Sequence, residues 1–337
     1  MEYTNTQWLL DKRPDGMPED SCWKMHKELI TSLKKNEILI EVKYLSIDPY
    51  MRGRMNDSAS YAAPAKIGKP MSGETVGLVV ESNSSLYQVG DAICAHEGWQ
   101  TYIKVKDTKP TLFKINNLDI PLSHYLGLVG MPGRTAYFGL NNVGKAKSGE
   151  TVVVSAASGA VGGVAGQLAK LKGCKVIGIA GGESKCAYVK DILGFDDCID
   201  YKAGNLADDL KKVCTEGIDV YFENVGGEVT KAIAPLLNRG SRVPICGFIS
   251  QYNAKDMFSI ETPFDVLGSL NPKPSHRFFV NTEWMNQWRD ITDLLSTLSL
   301  EGKLKYRETI TKGFENAPQG LRDVLTGKNF GKQIIKI

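Results

Sequence analysis

A run of small residues directly after an apolar stretch is the part of this sequence whose residue types and spacing could do chemistry. The segment TVVVSAASGAVGG, residues 151–163, passes from β-branched residues into Ala and Gly. A phosphate site at a helix N-terminus needs free backbone N–H groups and no obstructing side chain, which Gly159 and Gly162 permit. Ala156 stands where the G-x-G-x-x-G turn has its first glycine. These residues predict a pyrophosphate site, with glycines that serve only packing as the alternative.

The end of the following strand bears on which nucleotide would bind. The segment KVIGIAGG, residues 175–182, ends without the carboxylate that usually accepts the ribose hydroxyls of NAD. Gly181 leaves space there and is included among the predicted cofactor-binding residues. Lys185 follows closely, and its ammonium group could contact a 2′-phosphate. This favours NADP(H); the alternatives are that Lys185 is an ordinary solvated lysine and that Glu183 turns toward the ribose.

The sequence shows no evident set of residues for a metal site or for a histidine-centred catalytic triad. The four histidines include His96, but HEGWQ lacks the second histidine of H-E-x-x-H. The cysteines are at least 12 residues apart, so none forms a C-x-x-C pair. We expect reduced thiols at all seven positions: Cys22, Cys94, Cys174, Cys186, Cys198, Cys214 and Cys246.

Two patterns of hydrophobicity indicate the elements that position these residues. Up to about residue 120, short alternating apolar runs broken by Gly, Pro and Asn predict a β-rich domain with a barrel or sandwich core. From Thr151, strand-like runs alternate with helical segments, which predicts a doubly wound parallel sheet. A helical run, EWMNQWRDITDLLSTLSLEG, and a strand-like QIIKI follow. We expect domains at 1–123 and 124–300, with 301–337 returning to the first.

Length and charge restrict the class of partner. A chain of 337 residues exceeds what one core usually serves, so two domains are expected. The net charge is +3 without a block of one sign, which argues against nucleic acid or an anionic membrane surface as partner. No targeting pattern or long apolar stretch is visible, so we expect a cytoplasmic protein with a small-molecule partner.

Several longer motifs together resemble one family. They are DPYMRGRM, GLVGMPGRTAYFGL, AASGAVGG, YFENVGG, ICGFISQYN and the closing GKNFGK, spread from residue 44 to 337. The chain resembles a zinc-free medium-chain dehydrogenase/reductase of the prostaglandin reductase and alkenal double-bond reductase branch. In the zinc-dependent relatives a ligating histidine precedes the glutamate of an E-x-x-G segment; here Gly73 stands there.

The resemblance implies a fold, a reaction and a set of site residues. The fold class is α/β, with a GroES-like β-barrel domain and a Rossmann nucleotide-binding domain; the reaction is NADPH-dependent reduction of the C=C bond of α,β-unsaturated ketones and aldehydes, by a homodimer. It implies pyrophosphate contacts from Gly159, Ala160, Val161 and Gly162, and 2′-phosphate contacts from Lys185 and Tyr201. It implies further cofactor contacts from Asn224, Cys246, Gly247, Phe248, Ile249, Ser250, Tyr252, Phe278, Phe279, Val280 and Asn329.

Two tyrosines are the candidates for catalysis. Hydride arriving at the β-carbon of an enone places negative charge on the carbonyl oxygen, which a hydroxyl could stabilise. Tyr252, in the loop after GSRVPICG, is the first candidate and Tyr50 the second; packing at a domain boundary is the alternative for both. Arg52 and Arg54 are expected to form structural ion pairs. A quinone reductase and a non-catalytic NADPH-binding scaffold remain the other possible functions.

Overall fold

The computed structural model describes residues 2–57, 62–254 and 260–337, and the chain divides into two compact units. The first unit contains residues 1–126, 308–329 and 333–337. The second contains residues 127–307 and 330–332. The chain therefore passes from the first unit to the second after Leu126, and its last thirty residues belong to both.

The first unit is built on antiparallel strands. β1 (Thr4–Leu10) and β2 (Trp23–Leu29) form a two-stranded sheet. The larger sheet has the order β14-β15-β3-β4-β5-β7, with β6 also paired to β3. Its strands are β3 (Glu37–Ile47), β4 (Thr75–Ser82), β5 (Ala92–Ala95), β6 (Tyr102–Lys106), β7 (Phe113–Lys114), β14 (Glu308–Lys312) and β15 (Lys332–Lys336).

The alternation in β3 explains the core of this sheet. Ile38, Ile40 and Val42 point to one face and are buried together with apolar residues of β4, β5 and β6. Successive side chains of a strand face opposite sides, so this i, i+2 spacing creates one apolar surface. Two helices accompany the sheet: α1 (Tyr50–Arg54), directly after β3, and α9 (Ala317–Leu325), directly before β15.

The second unit is a parallel sheet of the doubly wound type. Its strand order is β10-β9-β8-β11-β12-β13, and every pairing is parallel. The strands are β8 (Thr151–Ser155), β9 (Lys175–Ala180), β10 (Asp197–Asp200), β11 (Ile218–Phe222), β12 (Leu237–Ile245) and β13 (Ser275–Phe278). Counted from β8 the order is 3-2-1-4-5-6, so the switch point lies between β8 and β11.

Helices connect these strands. They are α2 (Met131–Phe138), α3 (Gly162–Leu171), α4 (Glu183–Ala187), α5 (Leu206–Val213), α6 (Glu228–Ile233), α7 (Pro263–Gly268) and α8 (Trp288–Leu300). All five residues of β8 are buried, as expected of a strand covered on both faces. The helical run expected near residue 284 begins as a 3-10 helix at Asn281–Gln287 and becomes α8.

The predicted fold class, a GroES-like domain with a Rossmann domain, is confirmed. In the described ranges of the chain, no helix combines the length and the apolar character that crossing a bilayer requires.

Candidate functional site

The turn between β8 and α3 has the geometry of a phosphate-binding turn. Ala156, directly after β8, has φ +49°, a left-handed conformation that normally favours glycine. A Cβ added at Gly162 would lie 2.4 Å from the Ala156 carbonyl oxygen, so no side chain fits there. The sequence placed Ala156 where the three-glycine turn has its first glycine, and the backbone there is glycine-like.

Backbone donors are available at the same turn. Ala160 and Val161 bring their backbone N–H groups to this turn. They immediately precede α3, whose N-terminus carries partial positive charge. Gly331, from the end of the chain, pairs with Gly159 as a parallel bridge. This arrangement can accept an anionic group at the carboxyl edge of β8.

Glycine at the end of β9 leaves room for a tyrosine ring. A Cβ on Gly181 would lie 2.7 Å from the Tyr201 ring, so the ring packs directly over the backbone there. Gly182 has φ +97°, and its N–H donates to Asp200 Oδ1 at 2.7 Å. Lys185 lies in the first turn of α4, and burial together with the positive charge of Lys202 lowers its pKa. Lys185 and Tyr201 thus lie at the end of β9, where the Asp200 carboxylate accepts backbone N–H groups.

A buried carboxylate joins the strand ends on either side of the switch point. Glu223, just after β11, is fully buried and Oε1 accepts hydrogen bonds from the backbone N–H groups of Val225 (2.7 Å) and Gly226 (2.9 Å). It also accepts from the hydroxyls of Tyr221, Ser155 and Thr230. Burial raises the pKa of Glu223, which these donors partly oppose. The carboxylate fixes the loop after β11 relative to the end of β8.

Asn224 and the loop after β12 are hydrogen-bonded to Ser155 at the end of β8 and to the segment that begins at Glu223. The Asn224 side-chain amide donates to the Ser155 carbonyl at 2.7 Å, and its N–H donates to Ser155 Oγ at 2.9 Å. The Cys246 N–H donates to the Glu223 carbonyl at 2.9 Å. Ile249 and Ser250 donate their N–H groups to the carbonyls of Asn224 and Val225. The ends of β8, β11 and β12 therefore form one hydrogen-bonded surface.

Tyr252 ends a short 3-10 helix, Ile249–Gln251, in the loop after β12. The Phe248 N–H donates to its hydroxyl at 3.4 Å, and its ring packs edge-on to Phe248 with centroids 5.6 Å apart. A Cβ on Gly247 would lie 2.5 Å from the Tyr252 hydroxyl, so glycine is needed for this approach. The hydroxyl lies at the carboxyl edge of the parallel sheet, where a ligand of this fold binds.

The remaining candidate residues divide by position. Phe278 is the last residue of β13, and the Val280 N–H donates to Glu283 at 2.9 Å. Phe279 is 2% exposed and its ring packs edge-on to Phe222, so this side chain belongs to the core. Asn329 belongs to the first unit, one residue before the Phe330–Lys332 segment of the second.

The candidates in the first unit lie around α1. Tyr50 begins this helix, and its ring stacks on His96 with centroids 6.4 Å apart. Arg52 is buried and donates to the Gly16 carbonyl at 2.9 Å and to Asn56 Oδ1 at 2.6 Å. Arg54 donates to the Ala63 carbonyl. Carbonyl and amide oxygens accept these hydrogen bonds, and the charge of Asp15 also acts on the Arg52 guanidinium.

Packing against Trp99 explains why position 73 is a glycine. A Cβ there would lie 2.9 Å from the Trp99 indole, which is fully buried and stacks on Trp23. A ligating side chain at position 73 would need the space that this indole fills. Residues 2–57, 62–254 and 260–337 contain no group of three or more His, Cys, Asp or Glu side chains placed to hold a metal.

Some of the organising residues were not singled out from the sequence. Glu223 stands inside YFENVGG, where the resemblance implies a cofactor contact only for Asn224. Gly331 stands two residues after Asn329 in GKNFGK. A lone acidic residue in an apolar strand run was the available signal for Glu223, because a buried carboxylate requires partners. Nothing local indicated that Gly331 pairs with Gly159, since 172 positions separate them.

Comparison with known proteins agrees with this geometry. A family model described as "N-terminal domain of oxidoreductase" matches residues 6–115, and one described as "Zinc-binding dehydrogenase" matches residues 160–294. The chain is 42% identical to the NADPH-dependent curcumin reductase of Escherichia coli, over 99% of this chain and 97% of that protein. It is 37% identical to a 2-alkenal reductase (NADP(+)-dependent) of Nicotiana tabacum, over 100% and 98%. The crystal structure of CurA from Vibrio vulnificus with NADPH matches at a TM-score of 0.92 and 43% identity, covering 98% of each chain.

These findings define the class of protein: an oxidoreductase of the medium-chain dehydrogenase/reductase type. The chain belongs to the zinc-independent medium-chain dehydrogenase/reductases, in the branch that includes the alkenal and prostaglandin reductases. The resemblance that the motifs carried is confirmed.

Proposed function

We propose that this protein is an NADPH-dependent reductase that saturates the C=C bond of α,β-unsaturated ketones and aldehydes. The observation that carries the proposal is the joined edge of the parallel sheet. There the phosphate turn, the Lys185 and Tyr201 pair, and the Tyr252 loop lie at the ends of β8, β9 and β12. The relatives named for curcumin and 2-alkenals support the same substrate class.

The residues present fit a phosphorylated dinucleotide. The Ala160 and Val161 N–H groups and the α3 N-terminus suit a pyrophosphate, and the bare backbone of Gly162 lets it approach. The end of β9, with Lys185 and the Tyr201 ring beside Gly181, suits a 2′-phosphate. Asn224 and the Cys246–Ser250 backbone would hold the nicotinamide half.

The chemistry divides between cofactor and protein. Bound NADPH supplies a hydride, which goes to the β-carbon of the enone. The chain's part is to stabilise the charge that develops on the carbonyl oxygen, and the Tyr252 hydroxyl, which carries a proton to donate, is the proposed donor. Protonation of the α-carbon then completes the reduction. Tyr50, in the first unit, is the second candidate for this role.

The test compares substrates with purified protein. NADPH oxidation is followed at 340 nm with 4-hydroxynonenal, with 3-nonen-2-one, with a naphthoquinone and with no acceptor, and the organic product is analysed by NMR. We expect turnover with both enones and a product whose carbonyl is intact and whose C=C bond is saturated. Turnover with the quinone alone would favour quinone reduction. No turnover despite tight NADPH binding would favour a scaffold.

We also infer that the protein is a cytoplasmic homodimer. Support for the location comes from the seven free cysteines, which suit a reducing compartment. Support for the dimer comes from β13, the outermost strand of the parallel sheet, whose edge offers backbone groups to a second copy. Sedimentation velocity should give a mass near twice the 37.0 kDa of the chain. A species of single-chain mass at micromolar concentration would contradict the dimer.

A further inference from the structure

The segment Lys305–Arg307 lies at the end of residues 127–307, the longer of the two stretches that form the second unit. It lies against α3, the helix that begins at the phosphate turn. The buried Gln167 of α3 binds Lys305 in both directions: the Lys305 N–H donates to Oε1 at 2.7 Å and Nε2 donates to the Lys305 carbonyl at 2.9 Å. The Lys332 N–H donates to the Arg307 carbonyl at 2.9 Å. The Arg307 backbone is therefore fixed beside the return segment that contains Gly331.

The Arg307 side chain lies on an aromatic ring that a second cation shares. Its guanidinium carbon is 3.8 Å from the centroid of Phe330, and the Lys185 ammonium is 5.8 Å from the same centroid. Tyr188 packs edge-on to Phe330 at 5.1 Å. Both cations thus lie within about 10 Å of each other, held by one ring.

The charge around this ring is suited to an anion. Among the ion pairs in the described part of the chain, none involves Arg307. The nearby Asp200 carboxylate accepts two backbone N–H groups, from Gly182 at 2.7 Å and Lys202 at 2.9 Å. Burial, and next the positive charge of Lys202, lower the pKa of Lys185, so an anion placed beside these cations would stabilise the charged ammonium. Cations gathered in this way raise the local concentration of an anionic group.

We propose that Arg307 is a second cation for the 2′-phosphate of NADPH, that it acts together with Lys185, and that Phe330 holds its guanidinium in position. The proposal rests on the proposed cofactor and adds a specificity-determining residue from a segment outside the motifs that carry the family resemblance. A 2′-phosphate carries between one and two negative charges and several acceptor oxygens, and a planar guanidinium can donate to two of them at once.

The test is a binding experiment that needs no turnover. Dissociation constants for 2′,5′-ADP, 5′-AMP, NADPH and NADH are measured by calorimetry or fluorescence for wild type, Arg307→Ala, Lys185→Ala and the double variant. Lys303→Ala is the control, because Lys303 lies in the same stretch and its ion pair is with Glu301 at 2.7 Å. Circular dichroism checks that each variant is folded.

We expect Arg307→Ala to weaken 2′,5′-ADP and NADPH about tenfold or more, since charge-assisted hydrogen bonds are lost. NADH and 5′-AMP should change less than twofold, and Lys303→Ala should change nothing. Unchanged affinity for 2′,5′-ADP, or an equal loss for NADPH and NADH, would overturn the proposal. Because only binding is measured, a protein that fails to reduce enones would refute the proposed function and leave this test intact.

Discussion

The Tyr252 hydroxyl is the single atom on which the proposed reduction depends most. It accepts the Phe248 N–H at 3.4 Å and is held by the close approach to Gly247. Only an interaction stronger with the enolate than with the neutral carbonyl lowers the barrier, and a hydrogen bond to a developing oxyanion has this property.

We therefore expect Tyr252→Phe to lower kcat by about 10² or less, the low end for loss of an oxyanion donor, because water or a ribose hydroxyl could partly replace it. NADPH affinity should change little, since the ring remains. The measurement is kcat with 3-nonen-2-one and Kd for NADPH, with Tyr50→Phe in parallel. An unchanged kcat would reduce Tyr252 to a packing residue and favour Tyr50.

The Cys246 thiol lies in the same loop and faces a substrate class that alkylates thiolates. Burial and the negative charge of Glu223 raise its pKa to about 12. Because the thiolate is the nucleophile, roughly one thiol in 10⁴ to 10⁵ is reactive at pH 7.5. The Cys246 sulfur is therefore almost entirely protonated at neutral pH.

We expect 4-hydroxynonenal without NADPH to alkylate Cys246 at least 100-fold more slowly in native protein than in denatured protein at pH 7.5. The native rate should rise about tenfold per pH unit up to pH 10, which limited access alone would not produce. Peptide mass spectrometry gives both rates. Similar native and denatured rates at pH 7.5 would contradict the raised pKa.

At the scale of elements, the turn from β8 to α3 depends on one glycine more than on its neighbour. A Cβ on Gly162 meets the Ala156 carbonyl oxygen at 2.4 Å, whereas one on Gly163 meets Leu193 Cδ1 at 3.2 Å. Backbone atoms of a tight turn cannot move aside as a leucine methyl can. Gly163→Ala is therefore a matched control for Gly162→Ala.

We expect Gly162→Ala to destabilise the protein by about 1–3 kcal/mol and to weaken NADPH binding at least tenfold, because the turn must open to admit the methyl group. Gly163→Ala should change both quantities much less. Urea denaturation and fluorescence titration provide the measurements. Equal effects from the two substitutions would show that the clash with Ala156 does not determine the turn.

The Glu223 carboxylate holds the ends of β8 and β11 together. Its five donors come from Ser155, Tyr221, the Val225–Gly226 backbone and Thr230, so they tie β8, β11 and α6 together. In Glu223→Gln, an NH₂ group replaces one acceptor oxygen, so either the donors at Oε1 or the Thr230 hydroxyl at Oε2 loses its acceptor. We expect a loss of about 2–5 kcal/mol and weaker NADPH binding. The exposed Glu216→Gln is the control.

The pH dependence of this loss has a definite sign. The folded-state pKa of Glu223 is raised by burial, so its contribution to stability is fully present below the unfolded pKa, about 4.3, and is lost as pH rises through the folded value. The stability difference between wild type and Glu223→Gln should therefore increase as pH falls through that window. A difference that decreased on acidification would contradict the raised pKa.

At the scale of the whole molecule, periodicity in the sequence predicts the fold well. Alternation in Ile38, Ile40 and Val42 and the β–α series after Thr151 depend on local spacing, and each corresponds to observed elements. The strand β14, ETITK, was missed because its residues are only partly buried or exposed and show no apolar alternation. Helix and strand signals are local, so a segment with little burial gives little signal.

Long-range contacts limit how much of the candidate site can be predicted from the sequence. The glycine turn and Lys185 are read from neighbouring residues, whereas the pairing of Gly159 with Gly331 and the stacking of Arg307 on Phe330 join distant segments. Cys186 and Cys198 are 12 residues apart in sequence, yet in the fold burial and the neighbouring Cys186 thiol raise the pKa of Cys198. No spacing rule encodes such meetings, because they follow from the strand order.

The end of the chain connects the two units. Residues 330–332 belong to the second unit and 333–337 to the first, so the strand β15 begins in one and continues in the other. Ile335 is fully buried and pairs with Leu45 of β3, and its Cδ1 atom lies close to Gly320 of α9. Unfolding of the first unit would release the segment that holds Gly331 beside Gly159. The stabilities of the two units should therefore be coupled.

We expect Ile335→Ala to lower the free energy of unfolding by about 2–5 kcal/mol, the cost of a large-to-small change in a core. Coupling predicts that the loss is seen in both units. Hydrogen–deuterium exchange in mild urea should show peptides of β3 and of β8 opening with similarly reduced free energies, whereas Lys336→Ala, on an exposed side chain, should alter neither. Faster exchange in β3 with unchanged exchange in β8 would show that the units unfold independently despite the strand they share.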